Sequence, residues 1–254
     1  MGIVVITEQE AWKILQAYAL EVSQIETATL LAVFAIGSLP GGYYRPGQSD
    51  LDAVLLVKDG SESIWGSGKA VSSLLETLNN KYQELCGAKT GFEGYAIQEG
   101  YLLCKDDNGM LLEPQLNARL KLQSRLLFGS FDLEKIPLPT RADWLADAAG
   151  LEAHWQAQGG DAQLLQMDAL ALVNHALLKI KQYMLLVQGK ILFHKIDLVH
   201  IWSELKSDSM TCQGCQLMQR VIDGEPVAPD QQAVLVAFVQ DVGSFVNACI
   251  FPEL

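Results

Sequence analysis

Two aspartates one residue apart, Asp50 and Asp52, follow a loop rich in glycine and proline in "IGSLPGGYYRPGQSDLDAVLLV", residues 36 to 57. Side chains alternate along a strand, so the two carboxylates share one face and Leu51 and Ala53 take the other. Neighbouring carboxylates repel and raise each other's pKa unless a cation lies between them. Magnesium suits such a pair, because it takes oxygen ligands and leaves positions for water and substrate phosphates. Upstream, Gly37 and Ser38 end an apolar run, and a Gly-Ser turn lets backbone N–H groups and a hydroxyl approach phosphate oxygens. The stretch therefore points to a metal-nucleotide site. The plainer alternative is that Gly37 serves only a tight turn and Asp50 only a solvated strand end.

The elements that position these residues follow from pattern. Thr7 and Glu10 have capping-box spacing ahead of Trp12, Ile14, Leu15, Ala19 and Leu20, which predicts a helix over 8–25. "TLLAVFAIG" and "LDAVLLV" read as buried strands, and "KDG" at 58–60 ends the second. A helix follows a ragged start in 61–85, and "GFEGYAIQEGYLLC" reads as a third strand or a hairpin. Helix, strand, strand, helix and strand make a small α/β unit.

Near residue 130 the character changes. "GSFDLEKIPLPTRADW" holds Pro137 and Pro139 and no helical period, which predicts a linker over 131–140 between domains at 1–130 and 141–254. The second half predicts four helices, at 141–157, 161–188, 195–206 and 230–250, with a turn-rich segment before the last, and an antiparallel bundle. The apolar stripe at 232–251 reads as core. The expected fold class is α+β: an N-terminal α/β domain with a small mixed sheet and a C-terminal all-α helical bundle.

Composition narrows the partners. Half the residues are hydrophobic and the formal net charge is −12, which disfavours nucleic acid as the main partner. The N-terminus lacks a basic stretch before its apolar residues, and the longest apolar region is broken by Asn174, His175, Lys179, Lys181 and Gln182. A cytoplasmic protein with no membrane partner is expected. Five cysteines show no disulfide framework and read as reduced thiols. "CQGC" at 212–215 has the spacing of half a zinc site, with His194 and His200 as the candidates to complete it and two ordinary thiols as the plainer reading.

Gly-Ser, about ten residues, then Ser-Asp-Leu-Asp and "AVLLV" resemble the nucleotidyltransferase superfamily that includes DNA polymerase beta. Within it the chain is similar to the aminoglycoside adenylyltransferases of the streptomycin/spectinomycin type, which pair an α/β domain with a helical bundle. The resemblance implies that Gly37, Ser38 and Ser49 bind the nucleotide, that Asp50 and Asp52 hold Mg2+, and that a third carboxylate completes the catalytic and metal site. Glu93 in "FEGYAIQ" is the best match, and Glu99 the alternative if the strand runs on. "NHALLKIKQYMLLVQGKILFHK" matches the family at Asn174, Lys181, Gly189, Lys190 and Lys195, and Lys181 stands where an arginine usually reaches the phosphates. Lysine there loses the bidentate fork. An ordinary solvated face and a helix-ending glycine remain the alternative for these positions, and His175 reads as a packed histidine.

The implied activity is transfer of AMP from ATP, a co-substrate, to a hydroxyl of a small-molecule acceptor, with release of pyrophosphate. The acceptor stays open: the family's acidic drug-binding residue near the start of the long helix is replaced by "ALALVN", and the nearest acid is Asp168. The alternative function is a non-catalytic or antitoxin-like module of the same fold that acts through a protein partner.

Overall fold

The structure, a computed structural model, describes residues 5–25, 28–61, 70–87 and 90–252. The expected ragged start of the second helix, at 62–69, lies outside these residues. The chain divides into two units, Met1–Pro139 and Thr140–Leu254.

In the first unit, α1 (Glu8–Ile25) opens with the expected capping box: the Thr7 N–H donates to Glu10 Oε2 at 2.8 Å, and the Glu10 N–H donates to Thr7 Oγ1 at 3.3 Å. Its buried face is Ala11, Leu15, Tyr18, Ala19 and Val22, whereas Leu20 points to solvent. Strands β1 (Leu30–Ile36), β2 (Leu51–Val57), β3 (Phe92–Gln98) and β4 (Ser124–Gly129) form one sheet in the order β3-β2-β1-β4. β1 pairs antiparallel with β2 and β4, and β2 pairs parallel with β3. Helix α2 (Ala70–Cys86) supplies the crossover that a parallel pair requires.

Both faces of this sheet are covered, which is why β1 and β2 read as continuous apolar runs. On one face Val33, Ala35, Ala53 and Leu55 pack with Leu15, Tyr18 and Tyr82 of α1 and α2. On the other, Phe34, Ile36, Val54 and Leu56 pack with Leu116 and Leu120 of α3 (Pro114–Leu122) and with Ile136. Helix α3 and strand β4 are not apparent from the sequence pattern, because α3 spans only 9 residues and the sheet-edge strand β4 shows no strict burial alternation.

Residues 131–139, expected as linker, fall within the first unit. Ile136 is fully buried, Phe131 and Leu133 pack against the same cluster, and the Lys121 ammonium of α3 donates to the Ile136 carbonyl at 3.1 Å. Two prolines hide this contribution in the sequence. A segment without a helical period can still be core.

The second unit holds five α-helices among the described residues rather than the expected four: α4 (Arg141–Ala157), α5 (Ala169–Leu186), α6 (Lys195–Leu205), α7 (Ser209–Ile222) and α8 (Pro229–Ile250). The expected turn-rich segment is α7, capped by Asp208, whose carboxylate accepts the Thr211 N–H at 2.9 Å. Gly214, within that segment, is a packing glycine, since a Cβ there would collide with the Phe238 ring. The expected 161–188 helix is broken at Asp168, which caps α5 by accepting the Ala171 N–H at 2.8 Å. α8 is long and apolar enough to cross a membrane by length and composition, and its Leu235, Phe238, Val239, Val242 and Val246 lie in the core with Trp202 and Met218.

Ile136→Ala is expected to destabilise the protein by about 2–4 kcal/mol through the cavity it leaves, while Leu138→Ala, at a site 46% exposed, should cost under about 0.5 kcal/mol. Denaturant titration of the two variants measures the difference. Equal, small effects would show that 131–139 is not part of the core.

Candidate active site

The parallel β2–β3 pairing sets Asp52 opposite Glu93 and Leu51 opposite Phe92. Directly paired residues point to the same face, so Asp52 and Glu93 stand together at the α3 face, in line with Val54 and Tyr95. The register is fixed from the opposite face. Gly94 lies under the Tyr18 hydroxyl with no room for a Cβ, that hydroxyl donates to Asn79 Oδ1 at 2.8 Å, and Asn79 Nδ2 donates to the Gly94 carbonyl at 2.7 Å. At the start of the pair Asp50 Oδ1 accepts the Gly91 N–H at 3.0 Å, and the Leu51 N–H donates to the Gly91 carbonyl at 2.8 Å.

β1 ends where Ile36 pairs with Asp52, and the next residue, Gly37, has φ +86°. A Cβ on Gly37 would lie 2.8 Å from Asp52 Oδ2. Glycine is required there twice, once for the left-handed backbone and once for the close approach to the carboxylate. Ser38 follows, and its Oγ is buried with no hydrogen-bond partner among the described residues. A buried hydroxyl left unmade is costly unless something else completes it.

Burial pushes the Asp52 carboxyl up to about 6, helped by the charges of Asp50 and Glu93 and opposed by Arg119 of α3. Two acids and one guanidinium thus act electrostatically on Asp52 at this end of the sheet. Among the described residues no three His, Cys, Asp or Glu side chains are gathered into a metal-binding group. Asp50 is turned to the Gly91 N–H, and Glu93 is exposed. The donors are all anionic oxygens, a set that fits a hard cation.

The other expected residues divide. Ser49 Oγ accepts the Arg45 N–H at 2.9 Å and closes the loop before Asp50. Glu99 begins a short 3-10 turn after β3 ends, six residues and about 20 Å from Glu93 along the strand. Lys181, Asn174, Gly189, Lys190 and Lys195 all lie in the second unit. There Lys181 Nζ stands 5.1 Å from the Phe193 ring centroid, and Lys195 Nζ donates to Asn174 Oδ1 at 3.2 Å. Gly189, at φ +66°, lets the Lys190 N–H return to the Met184 carbonyl at 2.9 Å and wrap the end of α5. The His175 ring packs 4.2 Å from Trp155, and burial lowers its pKa. Cys215 is buried, with burial pushing its thiol up to about 12, while Cys212 is exposed, and among the described residues neither belongs to a group of three metal-ligating side chains.

Sequence reasoning missed Arg119 and the open cavity of about 700 Å³ beside Glu93, lined by Tyr95, Gln98, Tyr101, Glu113 and Leu116. Arg119 and Lys121 in the last turn after a proline start at Pro114 were the available signal for α3.

No protein-family model and no curated protein matches the chain. The fold is shared with a solved structure. The crystal structure of spectinomycin adenyltransferase AAD(9) from Enterococcus faecialis, with ATP and spectinomycin, matches with a TM-score of 0.63 at 14% identity, over 94% of this chain and 99% of that one.

With its folded pKa raised from 3.8 to about 6, Asp52 makes the native state bind the extra proton between those values, so its contribution to stability falls as pH rises through that window. In metal-free buffer at pH 8, Asp52→Asn is expected to be more stable than the natural chain by on the order of 1–3 kcal/mol. The gain should vanish below about pH 4. Chemical denaturation across pH checks it, and identical curves at pH 8 would refute the strained carboxylate.

Proposed function

We propose that the protein is a magnesium-dependent nucleotidyltransferase that moves AMP from ATP to a hydroxyl of a small-molecule acceptor and releases pyrophosphate. The observation that carries this reading is the convergence of Asp52, Glu93 and the Gly37–Ser38 turn at one end of the sheet. The unpartnered Ser38 hydroxyl supports a phosphate oxygen as its missing partner.

In this reading Asp50 and Asp52 hold Mg2+, with Glu93 completing the set. The bound ion supplies charge neutralisation at the α-phosphate and the leaving pyrophosphate. Gly37 brings the backbone close to the triphosphate, Ser38 donates its hydroxyl to it, and Ser49 keeps the approaching loop closed. Glu93, exposed and opposite Asp52, takes the proton from the acceptor hydroxyl. Most of the rate enhancement then comes from positioning and electrostatics, since no covalent enzyme intermediate is needed.

The acceptor is a hydroxyl-bearing small molecule. An aminoglycoside is the first to test, because the structural neighbour was crystallised with ATP and spectinomycin. The open cavity beside Glu93 offers carboxylate and phenol groups suited to a polar, cationic molecule.

Calorimetric titration of ATP with and without magnesium, followed by a pyrophosphate-release screen over aminoglycosides, tests the proposal. Asp50→Ala and Asp52→Ala should each abolish magnesium-dependent binding. Glu93→Gln should retain binding and lower turnover by about 10²–10⁴-fold, whereas Glu99→Gln should match the unsubstituted chain. Absence of ATP binding in the unsubstituted chain would overturn the nucleotide site, and loss of turnover in Glu99→Gln alone would overturn the role given to Glu93.

A further inference from the structure

We propose that Gln123 is a positioning residue of the nucleotide site, which acts through Tyr43 to fix the Gly37–Tyr43 turn that carries Ser38; this rests on the reading of that turn as phosphate-binding. Gln123 ends α3, with its N–H donating to the Arg119 carbonyl at 2.8 Å, and it immediately precedes Ser124, which pairs with Ile36 at the end of β1. Its backbone is therefore anchored one step from the strand end that launches the turn.

The side chain crosses to the turn. It is buried, and Nε2 donates to the Tyr43 hydroxyl at 2.7 Å. Tyr43 in turn sets the turn's backbone: its N–H donates to the Ser38 carbonyl at 3.1 Å, while the Gly41 N–H donates to the Gly37 carbonyl at 3.2 Å. Gly41 has no space for a Cβ, because the Gln123 amide and the Tyr43 ring occupy it. The turn is wrapped around this amide. A displacement of Tyr43 reaches Ser38 through a single hydrogen bond.

Gln123 Oε1 is buried and has no hydrogen-bond partner among the described residues. An orphaned acceptor destabilises the fold. Methionine has similar length and no acceptor to leave unmade, so packing alone would be served at least as well by it. What methionine lacks is the donor to Tyr43. The glutamine is thus placed for the geometry of the turn and not for stability.

The experiment compares Gln123→Met, Tyr43→Phe and the double variant by thermal melting, calorimetric titration of MgATP and backbone hydrogen exchange. Gln123→Met is expected to melt no lower than the unsubstituted chain and to bind MgATP about 5-fold more weakly, the loss of one neutral hydrogen bond's orientation. Tyr43→Phe should show a similar loss, and the double variant no further loss, because both remove the same link. The Gly41 and Tyr43 amides should exchange faster in every variant, with the β1 and β2 amides unchanged. Unchanged exchange at Gly41 and Tyr43 overturns the proposal whether or not nucleotide binds, as do additive losses in the double variant. If the unsubstituted chain binds no MgATP, the nucleotide reading fails and with it the role given to Gln123, while the exchange rates still decide whether the strut exists. Should Gln123→Met fail to fold, Tyr43→Phe carries the same comparison.

Discussion

Everything at the candidate site depends on the parallel register of β2 with β3. A slip of one residue would send Glu93 to the α1 and α2 face and bring Phe92 or Gly94 to the carboxylate end. Two devices prevent it. The Tyr18–Asn79–Gly94 hydrogen bonds hold β3 from below, and Gly91 is tied to both Asp50 and Leu51 at the strand's start. Around Gly94 the rings of Tyr18, Tyr82 and Phe92 pack edge to face or tilted, with centroids 4.8 to 5.4 Å apart. An aromatic cluster on the face without the carboxylates thus decides where they stand.

This rigidity sets up an electrostatic conflict. Val54, Leu56, Phe34 and Ile36 form a dry base beneath Asp52, and burial there disfavours its charged form. Asp50 and Glu93 add repulsion, and Arg119 relieves only part of it. A structure built for stability alone would place a neutral or apolar residue at 52. The strain is of the kind expected where a site is preorganised for a charge it does not itself contain.

Much of this was legible in the sequence, and the reasons differ by element. Thr7 with Glu10 announced α1, and the uninterrupted apolar runs of β1 and β2 announced strands covered on both faces. Asp50 and Asp52 stood out because carboxylates at a strand edge need an explanation. β4 stayed hidden because an edge strand half open to solvent lacks the alternation that marks a buried face. α7 stayed hidden because the stretch around Gly214 reads as turn-rich until Phe238 is seen to fill the glycine's missing side chain. The register of β3 could not be read at all from one strand, since it is set by Tyr18 and Asn79 from two separate helices. Gln123 had no sequence signal, because its role exists only once Tyr43, 80 positions away, is folded against it.

The groups already committed to the fold also constrain how an acceptor could be recognised. At the start of α5 the Asp168 carboxylate caps the helix by accepting the Ala171 N–H. Further along α5, Lys179 is buried in an ion pair with Glu152 and donates to Asn247 Oδ1 at 3.0 Å, so the acid of that pair is neutralised inside the bundle. Beside Glu93 the situation is reversed. Tyr95 and Tyr101 line an open cavity, and Glu113 adds a second carboxylate to the Glu93 of its lining. Burial, opposed by Arg119 and helped by the charges of Asp52, Glu93 and Glu113, pushes the Tyr95 phenol up to about 12, so it stays a neutral hydrogen-bond donor across the working pH range. On the proposed chemistry, β3 and the start of α3 carry the groups that would meet the acceptor.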